Sequence, residues 1–140
     1  MGILKTKMNL EEADLLFRKT TGALEQGSPV KAPLIKTLEK LQPILREEGK
    51  KFMEEIKVMV KEYSEDGKPV FNEGYEEKDY FTAINLNKAK EVEVEVHTIR
   101  PTENYILPNG QRIRIVDFLE KATNISPQVY LVLTEHYIKN

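Results

Sequence analysis

Between Ser28 and Ser64 the chain carries one apolar stripe at helical spacing. Leu34, Leu38, Leu41, Leu45, Phe52, Ile56, Val60 and Tyr63 recur at steps of three, four or seven, close to the 3.6-residue period of an α-helix. The spacing predicts one long helix over the whole segment. At about 1.5 Å rise per residue it would reach roughly 50 Å, more than a compact domain of 140 residues requires. Part of that apolar edge is therefore expected to meet another molecule, which points to an interaction protein.

The flanking punctuation places this helix in a hairpin. Leu4, Thr6 and Met8 alternate with Ile3, Lys5 and Lys7, the pattern of a short opening strand. Asn9 offers an N-cap and Glu12, three residues on, the reciprocal arm of a capping box. A first helix is predicted from Leu10 to about Gln26, burying Leu10, Ala13, Phe17, Thr20 or Thr21, and Leu24, with Gly22 as a weak point and Gly27 as a left-handed terminator. Ser28 and Pro29 read as a cap and first-turn proline that restart the chain at once. So short a joint predicts antiparallel packing. Pro43 lacks the amide that would bond the Glu39 carbonyl, which predicts a kink or break, and Gly49 adds a second soft point.

A turn-rich stretch, SEDGKPVFNEG, divides this helical half from a mixed one, with a tight turn at Asp66–Gly67 and at most a short strand at Val70 and Phe71. Tyr75 to Lys88 reads as a helix with Phe81, Ile84 and Leu86 inside. Glu91 to Ile99 alternates Val92, Val94 and Val96 with Glu91, Glu93 and Glu95, the signature of a strand with one wet face. That acidic row is also suited to guarding an edge. Asn109–Gly110 marks a turn, Arg112 to Val116 a short strand feeding a helix capped by Asp117, and Ser126–Pro127 the start of a last helix on which Val129, Leu133 and Tyr137 share a face. The expectation is one α+β domain over residues 1–140: a long helical hairpin (about 1–64) with a small β-sheet and C-terminal helices in a mixed α/β half (about 65–140).

Composition narrows the function classes. Basic and acidic residues number 21 and 23 and are interleaved, giving a net charge of −2 without an electrostatic footprint for nucleic acid. The lysines of the long helix alternate with glutamates, as on a solvated face of i, i+4 pairs. There is no cysteine, hence no disulfide framework, thiolate metal site or cysteine nucleophile. No apolar run approaches the roughly 20 residues of a membrane helix, and the N-terminal stretch is too short and charged for a secretory signal. A soluble cytosolic protein is expected. Of the two histidines, His97 lies on the strand row of Glu93 and Glu95, too widely spaced to close a metal shell, and His136 sits beside Glu135. No nucleophile elbow, phosphate loop or zincin helix is present, so no catalytic residue, cofactor or metal is assigned and an enzyme is not expected. The better candidates are aromatic. Tyr75, Tyr80, Phe81, Tyr105, Tyr130 and Tyr137 all lie in the C-terminal half, and tyrosine suits half-exposed contact surfaces because its ring buries area while its hydroxyl stays wet.

Taken in order, the basic opening strand, the hairpin carrying SPVKAPLIKTLEKL, the charged helix ending KEYSEDGKPV, the strand EVEVEVHTI and the closing LEKATNISPQVYLVL resemble small tail-assembly proteins of phages of Gram-positive bacteria. The nearest resemblance is to the non-structural chaperone of the tail tape-measure protein in lactococcal siphophages. It implies a mixed α/β fold, a homo-oligomer, no nucleotide, and an apolar, aromatic-containing groove for helical repeats of the tape-measure protein, in the cytoplasm of the infected host. On that reading Tyr75, Tyr80, Phe81, Tyr105 and Tyr137 are the expected client-binding patch. The alternative is a structural or regulatory module of the phage, such as a minor tail or head-completion component, that binds one folded partner.

Overall fold

The computed structural model describes residues 2–122 and 124–139. Strand β1 (Gly2–Asn9) runs directly into helix α1 (Leu10–Glu25). The Asn9 carboxamide accepts from the Glu12 amide at 2.8 Å, so the N-cap arm of the expected box forms. The buried face of α1 is Leu10, Ala13, Leu16, Thr20 and Ala23, with Phe17 and Leu24 packed at its margin. Gly27, at φ 80°, ends the helix in a Schellman motif, its amide bonding the Leu24 carbonyl and the Ser28 amide the Ala23 carbonyl.

That motif corrects the expected restart at Ser28. The Ser28 hydroxyl donates to the Val30 carbonyl at 2.8 Å rather than capping a helix. Helix α2 (Ala32–Met59) begins later, and Pro33 takes the early-turn position that needs no amide. Residues 10–14 of α1 lie beside residues 45–49 of α2, so the two helices form the antiparallel hairpin expected from their short joint. Pro43 does not break α2, which continues as helix on both sides of this exposed residue. The helix spans 28 residues, about 42 Å at helical rise. It stops at Val60, four residues short of the predicted end, because Val60–Tyr63 (β2) pairs with Pro69–Phe71 (β3) across the turn at Gly67.

Helix α3 (Glu77–Ala89) opens on a complete capping box between Glu76 and Asp79. Its inward side is Ala83, with Tyr80 and Ile84 half-buried. Phe81 and Leu86, expected inside, are exposed. Strand β4 (Glu91–Thr98) pairs antiparallel with β1, Leu4 opposite Val96 and Lys5 opposite Glu95. Val94 and Val96 are buried, as their alternation predicts. A hairpin of β5 (Asn104–Ile106) and β6 (Arg112–Arg114) turns at Gly110 and leads into α4 (Ile115–Lys121). Asp117 lies in the first turn of α4 rather than at its cap, and takes Arg114 in a two-pronged ion pair at 2.7 and 3.2 Å. Ser126 caps α5 (Pro127–Val132), which widens into a π-helical turn over Leu133–Tyr137.

Two apolar clusters result. The main core joins α1, the first half of α2, β4, α4 and α5 around Leu34, Leu41, Val94, Ile115, Leu133 and Tyr137. A second cluster has only Ile56, Val60 and Ala83 at its centre, with Phe52, Met59, Phe71 and Tyr80 packed against it. It joins the distal half of α2, the β2–β3 hairpin and α3. Helix α2 is the element common to both, and the ion pair of Glu48 with Lys90, at 2.6 Å, ties its midpoint to the end of α3. The chain is a mixed α+β domain, a long helical hairpin with small antiparallel sheets.

Candidate functional site

The small distal cluster organises a surface. Too few side chains meet there to close over one another, so apolar residues remain exposed around it: Met53, Val58, Tyr63, Val70, Phe81 and Leu86. Phe71, Tyr80 and Phe81 form a file of edge-on rings, with centroids 6.0 and 5.9 Å apart, a spacing favoured by the ring quadrupoles. A hydrogen bond with Tyr63 and burial hold the Tyr80 hydroxyl above the ordinary tyrosine pKa. Ring edges therefore continue from the hairpin onto α3.

Two shallow depressions flank Phe52. One, of about 470 Å³, lies between α2 and α3, with Phe52 and Leu86 in its wall and Glu48, Lys51, Glu55 and Lys90 around it. The other, of about 650 Å³, lies along α2 beside Met53, with Arg46, Lys50 and Lys57 at its margin. Both have an apolar floor and a charged rim, the arrangement that receives an amphipathic helix. The Lys90 ammonium holds the Glu48 carboxyl below the usual carboxylate range, and Glu48 raises Lys90 in return.

The five aromatic residues expected to form one patch are divided by the fold. Tyr80 and Phe81 come together in the distal surface, and Tyr75 lies half-buried just before α3. Tyr105 lies elsewhere, its ring 4.4 Å from that of Phe118 and its hydroxyl donating to the Pro29 carbonyl at 3.4 Å. Tyr137 is not a surface residue at all. Its side chain is fully buried in the main core, and its hydroxyl meets that of Thr20 at 2.5 Å. Burial pushes its pKa up, against the hydrogen bond with Thr20. Phe71 joins Tyr80 and Phe81 instead, while Met53 and Leu86 line the depressions on either side of Phe52. Met53 and Val58 were detectable as apolar residues lying off the stripe of α2.

Among the described residues, no group of three or more His, Asp or Glu side chains is placed to hold a metal ion. His97 and Glu95 meet at 3.2 Å on the strand face, a polar pair with no hydroxyl nucleophile bonded to the imidazole. Among the described residues no helix is long and apolar enough to cross a membrane. Comparison with protein-family models, curated proteins and solved structures finds no match.

Proposed function

We propose that this chain is a holding chaperone for apolar, aromatic-bearing helices, acting in phage tail assembly on the tape-measure protein in the cytoplasm of the infected bacterium. The observation that carries the reading is the exposure of apolar side chains on the elements of the distal cluster, with Leu86 68% exposed in the wall of the groove between α2 and α3 and Phe81 51% exposed at the end of the ring file. A single buried trio cannot account for so much apolar surface as core, whereas a helix laid in the groove would cover it. The resemblance in element order supplies the client. A tape-measure chain is a long apolar helix that aggregates unless covered before the tube forms. Several copies along one client would act through effective concentration, each contributing a weak patch and none requiring nucleotide.

The test is co-expression of this chain with an aromatic-bearing helical segment of a tape-measure protein, followed by size-exclusion chromatography with light scattering. The proposal expects co-elution with more than one copy per client and a soluble client. Phe81→Ser with Leu86→Ser is expected to abolish both while leaving the fold intact, since both side chains are exposed. A client that precipitates while this chain elutes alone would refute the reading, and a fixed one-to-one complex with a folded tail or head component would replace it with the structural-module alternative.

A further inference from the structure

Among the described residues, strand β1 is bonded along one edge only. The Leu10 amide donates to the Lys90 carbonyl at the end of the β1–β4 ladder, which sets its phase. Even-numbered residues of β1 turn their amides and carbonyls to β4, and Ile3, Lys5 and Lys7 turn theirs away. The equivalent outward groups at the C-terminal end of β4 are occupied. The His97 amide donates to Thr37, the Ile99 amide to the Tyr137 carbonyl, and the Ile99 carbonyl accepts from Lys139. Among the described residues nothing bonds the outward amides and carbonyls of Ile3, Lys5 and Lys7.

The two faces of β1 carry different chemistry. On one, Lys5 stands opposite Glu95 and Lys7 opposite Glu93, and the Lys7 ammonium lies 3.9 Å from Glu91. On the other, Leu4, Thr6 and Met8 oppose Val96, Val94 and Val92. Beside that second face a groove of about 300 Å³ runs between the sheet and α1, with Leu16 and Val96 in its floor and the exposed Leu4 and Leu15 at its rim. The strand that β1 already holds thus alternates glutamate and valine, matched residue by residue to lysine and apolar positions.

We propose that the free edge of β1 docks an extended peptide segment whose side chains alternate acidic and apolar, added as a third strand with its acidic residues beside Lys5 and Lys7 and its apolar residues over Leu4 and Leu15. Main-chain bonds supply the attachment and the alternation supplies the selection. A second copy of β1 is disfavoured at this edge. The two antiparallel registers that keep both faces in place over most of β1 set Lys5 opposite Lys5 or Lys7 of the other copy, and like charges directly opposite are destabilising. This site is on β1, apart from the distal lobe, and does not rest on the helix-holding reading.

The probe is a fluorescent peptide of sequence EVEVEVHT, that of residues 91–98, titrated into the full chain by anisotropy and followed by amide exchange. The expected result is saturable binding with new protection at Ile3, Lys5 and Lys7 and undiminished protection at Val94 and Val96. Lys5→Gln with Lys7→Gln is expected to weaken binding about tenfold. A peptide N-methylated at alternate residues, which leaves the protein untouched, is expected to lose it, as is KVKVKVHT. Absence of saturable binding, equal binding of the lysine peptide, or loss of protection in β4 through strand replacement would overturn the proposal. So would protection of the outward amides by self-association without peptide.

Discussion

The hydroxyl of Thr37, on α2, accepts the His97 amide of β4 at 2.9 Å and donates at the same distance to the Pro33 carbonyl one turn back. One fully buried side chain thereby closes the outer edge of a strand with a helix. Thr37→Val keeps the shape and strands the His97 amide without a partner. A loss of about 1–3 kcal/mol is expected, read by urea unfolding, together with faster exchange of the His97 amide. Thr37→Ser is expected to retain most of the stability.

Tyr137 and Thr20 form another buried polar contact, across 117 residues of chain. Tyr137→Phe and Thr20→Val are each expected to cost about 1–2 kcal/mol, because each leaves the other hydroxyl less well satisfied. The double variant is expected to cost less than the two together. A double-mutant cycle by chemical denaturation measures that coupling.

The two apolar clusters predict two levels of stability. Leu34 is fully buried in the main core, and Leu34→Ala is expected to lower global stability by about 2–5 kcal/mol. Ile56→Ala removes a third of a three-residue centre and is expected to open the distal lobe while the β1–β4 sheet stays closed. Native-state hydrogen exchange distinguishes the two, with amides of β2 and α3 exchanging by a lower-energy opening than those of Val94 and Val96.

His136 lies near Lys19, Lys139, Glu135 and Glu12 in the groove beside β1. Burial, followed by Lys19, lowers its pKa, and among the described residues its Nε2 has no hydrogen-bond partner, the Glu135 carboxylate lying 3.7 Å away. The unfolded chain therefore takes up the proton first. The stability associated with the neutral ring is complete above about pH 6.5 and declines as pH falls through the lowered folded value. Denaturation midpoints measured between pH 5 and 8 are expected to fall on acidification, and His136→Gln is expected to remove that component.

Elements whose determinants are local were legible in the sequence. Alternating glutamate and valine defined β4, Asn9 capped α1, Gly27 ended it, and Ser126–Pro127 started α5. The misreadings share one cause, a partner distant in sequence. Val60 and Tyr63 continue the helical stripe of α2, yet their backbone pairs with Phe71 and Pro69 across a hairpin, and that pairing overrides the period. Ser28–Pro29 has the composition of a helix start, but the Schellman bonds of α1 had already claimed Ser28. Tyr137 has the chemistry of a contact residue, and only Thr20 and the surrounding core make it interior. Of the residues expected to form a patch, Tyr80 and Phe81 are in ring contact because they are adjacent on α3 whatever the remainder does. The rest depended on which elements pack, which spacing alone does not encode.

The pairing of Gly2 with Thr98 also orders events during synthesis. At roughly 5–20 residues per second, β1 leaves the ribosome seconds before β4 exists, whereas α1 and α2 can pair as soon as they emerge. For that interval both edges of β1 are open, and the lysines on one of its faces have no glutamates opposite. A strand translated well before its partner is thus among the last elements to be secured, and long-range closure of this kind slows the overall folding rate.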